Sequence, residues 1–506
     1  MATSRKPPPA RKTTPDLARE VAYDVIREVH ESDAYANLLL PAKLRDLRER
    51  TQPTPGADAH GFSDRDAAFA TELVYGTLRM RGLLDAVLAS CVDRPLEQLD
   101  PAVLDLLRLG AYQLLEMRVP SHAAVAATVN LARRVSTSGP AGLVNAVLRK
   151  VAAKDRGQWI ATVAPPMETD PLGHLSIAGS HPRWIVTAFR DALGSGSLLG
   201  SGSLLGPGSL HGSESWDQTA ALIDANNVRP TVTLVARPGL STPAELLAIP
   251  GRSPGRWSPY AVILESGAPW TIAQIRDGRA GVQDEGSQLV ALALSRVDVD
   301  VLGVEGTGGE QWLDLCAGPG GKAALLAGLA QERGARLTAN EMHEHRAQLV
   351  RQALSPYGPE HQVVVSDAAA APDPSWRMAW EPASFDRVLV DAPCTGLGSL
   401  RRRPESRWRR TPSDLATLGP LQRALLRTAF DSVRPGGVVA YVTCSPHIAE
   451  TDLVVNDVIR DRGDVIRLDS RRTLPEVDDL GAGPDVRLWP HIHGTDAMYL
   501  ALLRRT

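Results

Sequence analysis

The sequence predicts three domains in succession: an all-α N-terminal domain, a small α+β middle domain, and a C-terminal α/β domain built on a mostly parallel sheet. Three observations carry that prediction. Apolar residues recur at helical spacing from residue 16 to about residue 155. From 311 to 506, strand-like apolar runs alternate with helical patterns, an order that places helices on both faces of a parallel sheet. At the head of that region QWLDLCAGPGGK (311–322) reads as strand, tight glycine turn and helix start. Open α/β sheets present ligand sites in this way, at the carboxyl end of a strand.

Composition sets the outer limits. The chain has 506 residues and a formal net charge of −3, room for roughly two to four domains and a large core. No apolar run approaches the roughly 18 residues needed to span a membrane. The N-terminus, MATSRKPPPARKTTP, is basic and proline-rich and lacks the apolar stretch of a signal peptide, so residues 1–15 are expected to be a disordered cytoplasmic tail. The four cysteines, Cys91, Cys316, Cys394 and Cys444, are far apart and form no CxxC, which argues against a disulfide scaffold and a zinc site. The charge balance excludes a uniformly basic surface but not a local one. Arg401, Arg402, Arg403, Arg407, Arg409 and Arg410 crowd around Trp408.

In the first domain, placed at 16–155, Leu17, Val21, Val25 and Val29 mark one helix face, widened by Ala22 and Ile26. Ser63 followed by Asp66 resembles a capping box. Asp100 before Pro101 is an N-cap with proline at the first helical position. Further helices are expected through Val125, Val129 and Leu131 and over 142–150. The middle region, 156–300, offers a helix over 180–193, strands over 231–238 and 261–267, and a helix over 286–294. Between them lies an imperfect seven-residue Gly/Ser/Leu repeat, 194–213, whose composition cannot build a core; it is expected to be a flexible surface insertion. The last domain, 301–506, has strand candidates at 311–315, 336–340, 362–366, 387–391, 438–443 and 497–503, with helices from Met342 and over Leu421–Ser432.

Acidic side chains follow three of those strands. The glycine turn lacks both GxGxxG and GxxxxGK[ST], so by pattern it is a nucleotide-type cofactor loop of unspecified kind or a plain glycine turn. Glu341 is placed to accept hydrogen bonds from a ribose hydroxyl pair, or to cap a helix. Asp367 is placed to receive an adenine amino group, or to cap the next helix. Asp391, Pro393 and Cys394 open a second turn, DAPCTGLGSLRRRP, and Cys444 lies in a third, YVTCSP. A lone cysteine is usually an inert apolar residue. Two of them in polar turns at the same sheet edge as a cofactor loop form a candidate catalytic pair. Cys91, among helices, reads as structural.

DLCAGPGGK, VDAPCTGLG and YVTCS, in this order and spacing, resemble the NOL1/NOP2/Sun RNA (cytosine-5) methyltransferases. The N-terminal helices resemble the NusB-like RNA-binding domain of the bacterial Sun/Fmu branch. The likeness covers nearly the whole chain, through YANLLLP, ATELVYGTLR (70–79), VNAVLRK (144–150), SHPRW (180–184), VQDEGSQLV (282–290) and HGTDAMYLALL (493–503). Ala497 and Met498 depart from the family's commoner glycine-aromatic ending, and the Gly/Ser insertion is not a family feature.

The resemblance implies an all-α NusB-like domain, a small α+β domain, and an α/β Rossmann-like class I methyltransferase domain. It implies S-adenosylmethionine as cofactor. Cys316, Ala317, Gly318, Pro319, Gly320, Gly321 and Lys322 would cradle its methionine part, Glu341 its ribose and Asp367 its adenine, with Arg346 nearby. Asp391 would face both the sulfonium region and the target cytosine, with Lys322 a partner for Asp391 or the RNA. Cys444 carries over as nucleophile and Cys394 as the cysteine of product release. Arg401, Arg402, Arg403, Arg407, Arg409 and Arg410 would contact RNA phosphates, with Trp408 a stacking or packing residue. The implied activity is methylation of C5 of cytosine 967 in 16S ribosomal RNA, of the EC 2.1.1.176 type, through a covalent cysteine–C6 adduct. The implied partner is that RNA, free or in an early assembly particle; a cytoplasmic monomer without metal or membrane contact is expected.

Overall fold

The computed structural model describes residues 16–51, 61–135, 139–198, 213–300, 309–369 and 379–506. The expected tail over 1–15 and residues 199–212 of the expected insertion lie outside the described residues. The chain divides into two compact units, Met1–Ser180 with Arg403–Glu405, and His181–Arg402 with Ser406–Thr506.

The first unit is all helix among the described residues. Its helices span Leu17–Glu31, Ala36–Arg50, Asp64–Arg79, Arg81–Ala89, Pro101–Leu115, Ser121–Val135 and Pro140–Val151, followed by two short ones, Arg156–Val163 and Pro171–Ala178. The start signals act as their chemistry dictates. Ser63 Oγ accepts the Asp66 N–H while the Asp66 carboxylate accepts the Ser63 N–H, a complete capping box. Asp100 accepts from Ala102 at 2.8 Å ahead of Pro101. The apolar stripes meet in one core that includes Val25, Ile26, Leu73, Leu84, Leu107, Val144 and Leu148.

In the second unit a helix over Arg183–Leu198 runs a few residues into the stretch expected to be insertion, and another covers Ser213–Asn227. A small antiparallel sheet follows, made of β1 (Val232–Ala236), β2 (Arg252–Pro254), β3 (Ala261–Leu264) and β4 (Ala280–Val282) in the order β2-β3-β1-β4. The helix Glu285–Arg296 leads to the large sheet. Its strands are β5 (Gln311–Asp314), β6 (Arg336–Glu341), β7 (Gln362–Val365), β8 (Phe385–Asp391), β9 (Val433–Thr443), β10 (Val465–Arg467), β11 (Val486–Leu488) and β12 (Met498–Arg505).

The order is β10-β12-β9-β8-β5-β6-β7, with β11 on β12. The pairs β5–β6, β5–β8, β6–β7 and β8–β9 are parallel; β12 runs antiparallel to β9. Parallel strands buried on both faces need near-continuous apolar runs. Val388, Leu389 and Val390 of β8 and Val438 to Val442 of β9 supply them, fully buried between two cores. The helix expected from Leu421 begins at Asp414 and carries Pro420 inside it. β10 and β11, three residues each and bearing arginine, leave too little pattern to be read beforehand.

Candidate active site

The strand order places the site. From β5 the chain moves outward to β6 and β7 on one side, and β8 and β9 build the other. Ligands bind at such a reversal, outside the carboxyl ends of the strands. Asp314 ends β5, Glu341 ends β6, Asp391 ends β8, and Cys444 directly follows β9.

The first half of the site is the glycine loop with the end of β6. Gly320 adopts φ +110°, and a Cβ there would lie 2.7 Å from Ala353 Cβ, so only glycine fits this turn. The Ala317 N–H donates to the Asn340 carbonyl at 2.8 Å, fixing the loop beside β6. A Cβ on Gly318 would stand 2.1 Å from Glu341 Oε2, so the missing side chain is what lets the loop backbone close on that carboxylate. Glu341 is buried and accepts the His343 N–H at 3.0 Å. Arg346 donates to the Gly318 carbonyl at 2.7 Å and lies 3.5 Å from Glu341 Oε2. Asp367 is exposed after β7, and its Oδ1 accepts the Ala369 N–H at 2.9 Å, so its turn-capping role is visible.

Acids dominate this half. Asp314 is buried, with Oδ2 lacking a hydrogen-bond partner. Burial first, then the Asp391 charge, pushes its carboxyl up to about 7. Burial and the carboxylates of Asp314, Asp391 and Glu341 hold the Cys316 thiol well above its usual range.

The second half is built by the turns after β8 and β9. Cys394 and Cys444 are partly exposed, with sulfurs 3.3 Å apart. The hydrogen bond from Cys394 lowers the Cys444 thiol against the opposing effects of burial and Asp391, with Lys322 assisting. Cys394 is raised correspondingly, first by that same bond. Of the two thiols, Cys444 is therefore the one that gives up its proton more readily. Lys322 joins the halves: it starts in the glycine-loop helix and its Nζ lies 2.8 Å from Asp391 Oδ2. Burial disfavours its charge, but Asp391 outweighs this and leaves the ammonium raised.

The arginine segment divides. Arg407 is fully buried and donates to Asn227 Oδ1 and the Asn226 carbonyl at 2.8 and 2.9 Å. Arg401 is buried too, donating to the Gly494 carbonyl at 2.9 Å. These two therefore do not belong to the exposed basic segment expected from the sequence, because their guanidinium groups are taken up by internal acceptors. Arg402, more exposed, pairs with Asp496. Arg403 lies over the Tyr35 ring at 5.2 Å, Arg410 is 3.7 Å from Asp414, and Trp408 and Arg409 are half-buried.

Sequence reasoning missed the support beneath the cysteines, Thr395, Gln422 and Glu450, and the buried carboxylates Asp284 and Asp496 below Arg401 and Arg402. Burial, then Asp496, pushes Asp284 up to about 6. Thr395, Gln422 and Glu450 carry no spacing signal that would single them out.

Comparison with known proteins adds the family. The family model "16S rRNA methyltransferase RsmB/F" matches residues 302–504 and the NusB family model matches 16–153. A Mycobacterium tuberculosis protein with the provisional name methyltransferase is 49% identical over 504 residues, covering 99% of each chain. A Pseudomonas putida protein named ribosomal RNA small subunit methyltransferase B is 30% identical over 399 residues, 78% of this chain and 80% of that one. The crystal structure of PH0851 superposes with a TM-score of 0.72 at 20% identity, over 97% of this chain and 99% of that one, a likeness of fold. With a NusB-family helical domain ahead of a methyltransferase domain, this chain belongs to the RsmB/F family of 16S rRNA methyltransferases.

Proposed function

We propose that this chain methylates C5 of a cytosine in 16S ribosomal RNA, with S-adenosylmethionine as methyl donor, through a covalent bond between Cys444 and C6 of the base. One observation carries the reading: two cysteine sulfurs, Cys444 and Cys394, lie 3.3 Å apart at the sheet edge that also bears the Lys322–Asp391 ion pair and the glycine loop.

The residues of the first half suit that cofactor. The loop Cys316, Ala317, Gly318, Pro319, Gly320, Gly321 and Lys322 offers backbone groups at a helix start for the methionine part. Glu341, with Arg346 beside it, suits the ribose hydroxyls, and Asp367 the adenine amino group. The partnerless Asp314 Oδ2 leaves one buried polar atom beneath the loop for a ligand group or water. When bound, the cofactor supplies an electrophilic methyl group on a positively charged sulfur.

The protein's task is to make a poor carbon nucleophile reactive. Addition of the Cys444 thiolate to C6 converts the ring to an enamine whose C5 is electron-rich. Asp391, steadied by Lys322, orients the ring at N3 and the exocyclic amine. Once C5 is methylated its proton passes to water, the electron pair re-forms the C5–C6 double bond, and the Cys444–C6 bond breaks with its electrons returning to sulfur. Cys394, as a thiol, donates to the departing sulfur and so assists release. The base must leave its stack to reach this pocket. Arg402, Arg403, Arg409 and Arg410 suit phosphate contacts, Trp408 packs or stacks nearby, and Arg401 and Arg407 hold the segment in shape. The helical first unit serves as a second RNA-binding element, and the chain acts as a monomer on free RNA or an early particle.

The test incubates naked 16S rRNA with methyl-labelled S-adenosylmethionine and maps the product by nuclease digestion and mass spectrometry. The expected product is 5-methylcytidine at position 967, absent with Cys444→Ala. Label on another atom, or full activity of Cys444→Ala, overturns the reading.

A further inference from the structure

The two cysteines lie on different turns, 50 residues apart in sequence, and something must hold their sulfurs together. Glu450 is fully buried in the short 3-10 turn Ile448–Glu450, just beyond the Cys444 turn. Its Oε1 accepts the backbone N–H of Thr395, the residue after Cys394, at 2.8 Å, and its Oε2 accepts the Thr395 hydroxyl at 2.5 Å. The Thr395 hydroxyl is in turn 3.1 Å from Oγ of Ser445, the residue after Cys444. Gln422, also fully buried, donates from Nε2 to Glu450 Oε1 at 3.2 Å and to the carbonyl of Pro393, the residue before Cys394, at 2.9 Å. Tyr441 fixes the backbone end of the clamp, its hydroxyl donating to the Glu450 carbonyl at 2.8 Å.

Thr395 directly, Ser445 through Thr395, and the Pro393 carbonyl through Gln422 are therefore tied to one carboxylate. Among the described residues no cation lies within ion-pair distance of Glu450, so neutral donors alone offset the cost of burying it. The carboxylate accepts the Thr395 N–H on one oxygen and the Thr395 hydroxyl on the other, whereas an amide would offer a donor where the hydroxyl now donates.

We propose that Glu450 is a positioning residue: through Thr395 and Ser445, with Gln422 on the far side, it sets the separation of Cys394 and Cys444 at which one thiol donates to the other. This rests on the reading of the pair as catalytic thiols. Glu450 touches neither sulfur and acts through the turns. Its loss lets the turns part, and Cys444 then keeps its proton to higher pH.

The test separates this claim from the enzyme reading by using a chemical readout that needs neither RNA nor cofactor. The full-length protein is alkylated with iodoacetamide across a pH series, and the Cys444 peptide is quantified by mass spectrometry, for wild type, Glu450→Gln, Thr395→Val and Thr395→Ser. Alkylation of Cys444 at neutral pH is expected to slow about tenfold in Glu450→Gln and less in Thr395→Val, with its pH midpoint moved upward. Thr395→Ser, which keeps the hydroxyl, restores the wild-type profile. Methyl transfer then falls through kcat, with KM for S-adenosylmethionine within about twofold of wild type. Should Glu450→Gln fail to fold, Thr395→Val carries the test alone. A wild-type alkylation profile in folded Glu450→Gln and Thr395→Val overturns the proposal. Altered alkylation in a protein whose wild type transfers no methyl group upholds the clamp and overturns the enzyme reading instead.

Discussion

The turn after β5 and the turn after β9 reach the same sheet edge, each carries a cysteine, and their neighbours drive the two thiols in opposite directions. Around Cys316 stand Asp314, Asp391 and Glu341, and with burial these hold the proton on sulfur. Around Cys444 the neighbouring Cys394 thiol, with the Lys322 ammonium, outweighs burial and the Asp391 carboxylate, and the proton is released more readily. Burial acts the same way on both, against the thiolate. The sign is decided by the balance each sulfur faces: mainly carboxylates around Cys316, and a neighbouring thiol with an ammonium prevailing over carboxylates around Cys444. A cysteine in a ligand loop is thus not a nucleophile by virtue of its place.

Substitutions break the comparison in graded steps. Cys444→Ala should lower methyl transfer by roughly a thousandfold or more while leaving the melting temperature nearly unchanged, because it removes the bond-forming atom. Glu341→Ala should weaken S-adenosylmethionine binding roughly 10- to 100-fold by calorimetry, the loss of one or two buried hydrogen bonds, and spare RNA binding. Unchanged affinity would remove Glu341 from the cofactor half.

A smaller effect probes the acids beside Cys316. The native state holds the Asp314 proton up to about 7, whereas an unfolded chain releases it near about 4. Between those values the native state binds more protons than the unfolded one, so this group's contribution to stability falls as pH rises through the window. Asp314→Asn should flatten that part of the stability curve of the cofactor-free protein and raise its melting temperature at pH 7 and above. A curve with the wild-type slope would show that Asp314 is ionised throughout. The smallest change belongs to Cys316→Ala, for which transfer should stay within about threefold of wild type; a Cys444-like loss would erase the distinction between the two turns.

Much of this was legible in residue order alone. Apolar runs such as RVLVD and VVAYVT announced buried parallel strands, and the glycine turn with acids after three strand ends marked the ligand edge. What stayed hidden depends on long-range contacts. Arg401 and Arg407 look solvated in a run of arginines, but Gly494, Asn226 and Asn227, distant in sequence, supply the acceptors that bury them. The helix expected over Leu421–Ser432 starts earlier, at Asp414, and runs through Pro420. Glu450 gave no signal at all, because its partner Thr395 lies 55 residues earlier. Asp367 shows the converse: its local cap is real, and the strand-end position that suggests a ligand role is shared with it.

The central claim, that Cys444 bonds to the base and Cys394 frees it, is met most directly by trapping the bond. Cys394→Ala is incubated with 16S rRNA and S-adenosylmethionine and resolved on a denaturing gel beside the Cys394→Ala/Cys444→Ala double variant. The account predicts a slow-migrating covalent protein–RNA species in the single variant and none in the double. An adduct that survives loss of Cys444, or none in Cys394→Ala, would contradict it.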